Sequence, residues 1–140
     1  MPELLEKTGG HLPHRDYIAR VVAELEAIGR GPDAWRLDVG PADGPALQAL
    51  LTWRADDADA HLVLAMNWDS TDGWAYSRDF DRDDFVWVEL DVHAMSDPAG
   101  LARSLEYLLD DAIPGPMPLA ACWEGAGRLD DAVRAWLAAR

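Results

Sequence analysis

Cysteine is nearly absent: Cys122 is the only one in 140 residues. An internal disulfide is therefore excluded, and with it the small secreted scaffolds that depend on several. A reducing cytoplasm is the expected compartment. Lysine is equally scarce, with Lys7 alone, and 12 basic side chains stand against 26 acids for a net charge of −14. That balance disfavours direct contact with a nucleic-acid backbone or an anionic membrane, because both would repel the chain. No apolar run approaches the ~20 residues of a membrane-spanning helix. The first residues, MPELLEKTGG, lack the apolar stretch of a secretory signal, and none is expected there.

What is present suits a single domain over residues 1–140. Residues 1–12 are a candidate flexible segment, and residues 114–140 a helical tail packed on the domain. Hydrophobic residues make up 49% of the chain, enough for a core without staples. The negative charge is uneven. Residues 55–91 hold 11 acids and 2 bases, a balance of −9, whereas residues 1–54 carry −2 and residues 92–140 carry −3.

Periodicity predicts the elements. Tyr17, Ile18, Val21, Val22, Leu25 and Ile28 recur at helical spacing from Pro13 to about Gly29. Trp35 to Val39 alternates as a half-buried strand, with Trp35, Leu37 and Val39 inward. Ala46 to Trp53 suits a strand or a helical turn. His61 to Trp68 puts Leu62, Leu64, Met66 and Trp68 on one face; Trp74 to Phe80 is its partner. Phe85 to Val92 follows, with Val86, Val88, Leu90 and Val92 inward and Trp87, Glu89, Asp91 and His93 outward. Ser96-Asp97-Pro98 is a helix start, a capping side chain before proline, and that helix runs to about Ala112. Leu119 to Arg140 reads as two short helices parted at Gly125 to Gly127. Segregated runs of this kind argue α+β: an antiparallel sheet of four or five strands packed against an N-terminal helix and C-terminal helices.

No catalytic signature accompanies these elements. There is no GxSxG, GxGxxG or Walker loop. Asn67-Trp68-Asp69-Ser70-Thr71-Asp72-Gly73-Trp74 has two carboxylates, but its spacing fails for a calcium loop and suits a five-residue hairpin loop ending in a positive-φ glycine. Asp79, Asp81 and Asp83 do fall at alternate positions, yet Asp84 replaces the loop glycine and Leu90 the closing glutamate; a solvated turn is expected. His11 and His14 form an HxxH, two ligands where zinc needs at least three. No metal centre and no cofactor is expected. If a pocket lies between sheet and helices, His61, His93, Asp69 and Asp72 are its candidate residues.

Seven tryptophans are many. Trp35, Trp53, Trp68 and Trp74 share the core phase of their strands, but Trp87 shares its phase with Glu89 and Asp91. An aromatic on a polar strand face is a candidate contact residue. Together with Asp79, Asp81, Asp83 and Asp84 it marks the expected binding surface, and the expected partner is another protein with a basic surface. The functional expectation is a non-enzymatic acidic interaction domain: an accessory, chaperone-like or inhibitor- or immunity-like factor. The alternatives are a small-molecule binder or enzyme, and a nucleic-acid mimic that presents carboxylates to a basic protein.

Two resemblances accompany this. Leu119, Ala120 and Trp123, then Ala132, Trp136 and Ala139, resemble the two helices of one tetratricopeptide unit. A single copy implies a helical hairpin and no peptide-binding array. HRDYIARVVAEL (His14 to Leu25), LAMNWDSTDGWAY (Leu64 to Tyr76) and DPAGLARSLEYLL (Asp97 to Leu109) resemble an uncharacterised actinobacterial domain family. The resemblance implies the order helix, acidic hairpin, helix, and no activity for any residue.

Overall fold

The computed structural model describes residues 12–40, 47–55, 62–78, 80, 83–90, 95–109 and 122–139. Helix α1 (Arg15–Ala27) is followed by strands β1 (Ala34–Val39), β2 (Leu47–Arg54), β3 (Leu62–Asp69), β4 (Gly73–Ser77) and β5 (Val88–Glu89). Helices α2 (Pro98–Leu109) and α3 (Ala126–Ala138) complete the order. The strands form one antiparallel sheet in the order β1-β2-β3-β4-β5, each paired with its neighbour in sequence. This is the α+β arrangement that segregated strand and helix patterns predict.

Register explains which side chains meet the helices. Leu37 faces Ala49, Ala49 faces Trp68, and Trp68 faces Trp74; the next row joins Leu51, Met66 and Tyr76. These residues line the face that packs on Ile18, Val21 and Leu25 of α1 and on Leu101 and Leu105 of α2. The ambiguous segment is a strand from Leu47 on because it has two partners: it exchanges ladder bonds with both β1 and β3, while Ala46 lies outside the described residues.

The helix ends follow local chemistry. α1 closes in a Schellman motif: Arg30 N–H donates to the Leu25 carbonyl (2.8 Å) and Gly29 N–H to that of Glu26 (3.0 Å). Gly29 supplies the required positive φ of 76°. The Trp53 indole N–H then donates to the Arg30 carbonyl (2.8 Å), fixing this end to β2. At α2 the Asp97 carboxylate accepts from Gly100 N–H (3.0 Å), and Pro98 opens the helix, as the Ser96-Asp97-Pro98 signal predicts.

Three expectations need correction. Trp35 and Val39 were expected in the core, but Trp35 is 37% exposed and only Leu37 of β1 is buried. β1 is an edge strand, so its side chains have sheet neighbours on one side only. Phe85 to Val92 is expected as a strand; among the described residues only Val88–Glu89 forms one, and of its inward set Leu90 is buried while Val86 and Val88 are exposed. Val92 lies outside the described residues. The tail helix α3 begins at Ala126, so Gly127 lies inside it and Trp123 precedes it. Cys122 instead bridges to Ser96. Residues 119–121, the start of the tetratricopeptide-like segment, lie outside the described residues.

The N-cap of α1 does something its sequence does not announce. His14 makes no capping bond; its side chain turns into the core, fully buried. There Nε2 lies 2.9 Å from the Gln48 carbonyl and the ring stacks on Trp68, centroids 5.6 Å apart. Nδ1 has no partner among the described residues. With Nε2 as the donor, the ring is neutral. Burial disfavours the charged form and holds the imidazole below its ordinary value, outweighing the Gln48 bond and the charge of Asp38. In the unfolded chain the same ring takes up a proton near its ordinary value of about 6.5. The unfolded state therefore binds more protons once pH falls below that value, and stability drops with it. Urea unfolding should show up to about 1.4 kcal/mol lost per pH unit on this account below pH ~6.5. His14→Phe should lack that part of the slope.

Candidate functional site

The acidic hairpin between β3 and β4 is the first place to look for chemistry, and its best-placed carboxylate is already engaged. Asp69 is buried, and its Oδ1 accepts from the N–H groups of Thr71 (2.8 Å) and Asp72 (2.5 Å). This is an Asx turn: the side chain satisfies the loop backbone. Ser70 ties the loop to β2, its N–H donating to the Leu47 carbonyl (3.0 Å) and its Oγ accepting from Leu47 N–H (3.3 Å). Gly73 has φ 84°, a conformation that side chains rarely adopt. Asp72 is exposed. The hairpin thus fixes register and places Trp68 opposite Trp74.

The second place is the approach to β5. Phe80, Phe85 and Trp87 pack as three mutually contacting rings, with centroids 4.9, 5.2 and 5.5 Å apart and two edge-to-face contacts. Trp87 is half-buried, and the two phenylalanines are what partly covers it. Beside this cluster Val86 is 65% and Val88 46% exposed. Asp83, Asp84 and Glu89 are exposed around them. Asp79, Asp81 and Asp91 lie outside the described residues. Trp87, Glu89, Asp83 and Asp84 thus belong to one short surface segment before and within β5, a patch in which Phe80 and Phe85 contact Trp87 and Val86 and Val88 are exposed in the opposite phase. Phe80 was assigned to the strand after Trp74, but β4 stops at Ser77. Val86 and Val88 have the alternation of core residues, yet both are exposed: Val86 precedes the paired residues, and Val88 belongs to the two-residue edge strand that pairs with β4 alone. A usable signal was present: phenylalanines flank the acidic turn on both sides, one residue from Asp79 and one from Asp84.

The third place is a cleft of about 600 Å³ between the first turns of α1 and the start of α3. Tyr17 and Trp123 are its aromatic residues, and Asp16, Arg20, Glu124 and Arg128 its charged ones. Two hydrogen bonds hold Trp123 here: its N–H donates to the Met95 carbonyl (2.8 Å), and its own carbonyl accepts from Ala126 N–H (3.0 Å). Its indole lies on Gly125, where a Cβ would come within 2.7 Å of the ring. Tyr17 lies behind it, ring centroids 5.2 Å apart. Of the four proposed pocket residues, Asp69 and Asp72 belong to the hairpin and do not line this cleft, and His61 and His93 lie outside the described residues. Nothing in the sequence pairs Arg20 with Arg128; both sit on polar helix faces more than a hundred residues apart.

Among the described residues, no three His, Cys, Asp or Glu side chains are grouped so as to hold a metal ion. No described helix is long and apolar enough to cross a membrane.

If the hairpin acts on register, its glycine matters more than its exposed acid. Gly73→Val should cost about 2 kcal/mol or more, from the positive φ and the β-branched side chain. Asp72→Asn should stay within about 0.5 kcal/mol of the parent. Urea unfolding followed by tryptophan fluorescence measures both.

No protein-family model matches the chain, and no curated protein or solved structure is detectably similar to it.

Proposed function

We propose that the protein is a non-enzymatic interaction domain and that it meets another protein through the patch at β5. The observation that carries this is the partly exposed Phe80–Phe85–Trp87 cluster, with Val86 and Val88 exposed in the same short segment. Contiguous apolar side chains that remain in water mark contact surfaces, and aromatic residues concentrate binding energy in them. Asp83, Asp84 and Glu89 are exposed within a few residues of this cluster and would supply the polar rim of such a contact. Such a rim favours a partner with basic residues around an apolar site, and the net charge of −14 would accelerate the encounter. The same charge works against pairing two copies of this chain through the patch, since like carboxylates would be brought together.

The patch has the features of a reading surface and lacks those of a reaction site. Its acids are solvated, and its rings lie in the residues that lead into a two-residue edge strand. Catalytic groups are shifted in acidity by a dry cleft, and none of the patch carboxylates lies in one.

A photo-crosslinking amino acid at Val86, in the full chain and in the source cell, tests this. One discrete adduct is expected. It should be lost when Trp87→Ala is added, and absent when the crosslinker replaces the exposed Arg103 on α2. No adduct at Val86, or the same adducts from both positions, contradicts the proposal.

A further inference from the structure

The cleft between α1 and α3 stands apart from the β5 patch, and its chemistry is different. Its volume, about 600 Å³, is that of a small-molecule site. Trp123 is half-exposed at the cleft, and with its indole lying against Gly125 and backed by Tyr17 it offers a flat group the edge of its ring. The Tyr17 hydroxyl is engaged elsewhere, donating to the Ser96 carbonyl and accepting from Trp74. What remains on that side is aromatic surface.

The charges around it come as two acids and two bases, each acid four residues before its base: Asp16 and Arg20, Glu124 and Arg128. On α3 itself, Asp130 and Arg134 at the same spacing close an ion pair of 3.0 Å. Neither Arg20 nor Arg128 makes an ion pair among the described residues, although acid before base at this spacing is the favourable order. The first turn of α3 also has no side-chain cap, so its N–H groups add positive potential beside Arg128. A simple anion would meet Asp16, Glu124 and a chain of net charge −14; a simple cation would meet both arginines. A molecule with both charges satisfies all four groups.

We propose that this cleft binds a small zwitterion with an apolar ring, the chemistry of a free aromatic α-amino acid. Its carboxylate sits between Arg20, Arg128 and the start of α3, its ammonium faces Asp16 and Glu124, and its ring meets the edge of Trp123. The proposal does not depend on the β5 patch, and either can fail alone.

L-Phenylalanine is the probe, titrated into the nitrogen-15-labelled full chain and followed by amide chemical shifts. Phenylacetate and phenethylamine, each with one of the two charges, are titrated in parallel. Saturable shifts are expected at residues 13–20 and 123–132, the segments that line the cleft. Affinity for L-phenylalanine should exceed that for either analogue roughly tenfold, the effect of one charge-assisted contact. It should fall roughly tenfold in the double variant Arg20→Gln, Arg128→Gln, whose exposed positions leave the fold intact. No saturable shift, shifts centred elsewhere, an analogue that binds as tightly, or unchanged affinity in the double variant overturns the proposal.

Discussion

The Tyr17 side chain is the contact on which the arrangement of the helices depends. It is buried at the first turn of α1, and burial holds its phenol well above the ordinary value, so it remains a neutral donor. Its hydroxyl donates to the Ser96 carbonyl (2.8 Å) and accepts from the Trp74 indole N–H (3.2 Å). One oxygen thus joins α1, the hairpin strand β4 and the residues that lead into α2. Its ring adds Trp68, Trp74 and Trp123 at centroid distances of 6.0, 6.3 and 5.2 Å. Trp123 in turn leads into α3. A fully buried tryptophan contributes several kcal/mol through area alone, at about 25 cal/mol per Å² over roughly 200 Å². Area has no direction, however. The two hydrogen bonds at Tyr17 determine which way the buried surfaces face one another, because an unmet indole N–H in this core would be costly.

Much of this was legible in the residues, and for identifiable reasons. The α1 stripe, the alternation at Leu64, Met66 and Trp68, the hairpin glycine and the Asp97-Pro98 start are local signals, each satisfied within a few residues or one neighbouring strand. What misled were positions where phase was right and cover was missing. Trp35 and Val39 alternate with Leu37 but lie on an edge strand; Val86 and Val88 alternate with Leu90 but lie just before and within the two-residue edge strand β5. Alternation reports the side of the sheet a residue faces. It carries no information on how far the sheet or its helices reach.

The site was legible in part by the same logic. Trp87 stands out because its phase is polar, and it is half-buried against Phe80 and Phe85. Its ring partners Phe80 and Phe85 depend on a turn geometry that periodicity does not encode. His14 looked like half of an incomplete metal motif and is a core residue stacked on Trp68, because the helix start directs it inward. The cleft joins residues of α1 to residues next to α3, and contacts so distant in sequence leave no local trace.

The central claim, that the Tyr17 hydroxyl couples α1 to the sheet through Trp74, is tested most directly by a double-mutant cycle. Stability would be measured for the parent, Tyr17→Phe, Trp74→Phe and the double variant. Trp74→Phe also loses ring volume, and the cycle subtracts that loss. The account predicts a favourable coupling of about 0.5–1.5 kcal/mol, the net worth of a buried hydrogen bond. Additive effects, with coupling near zero, would contradict it.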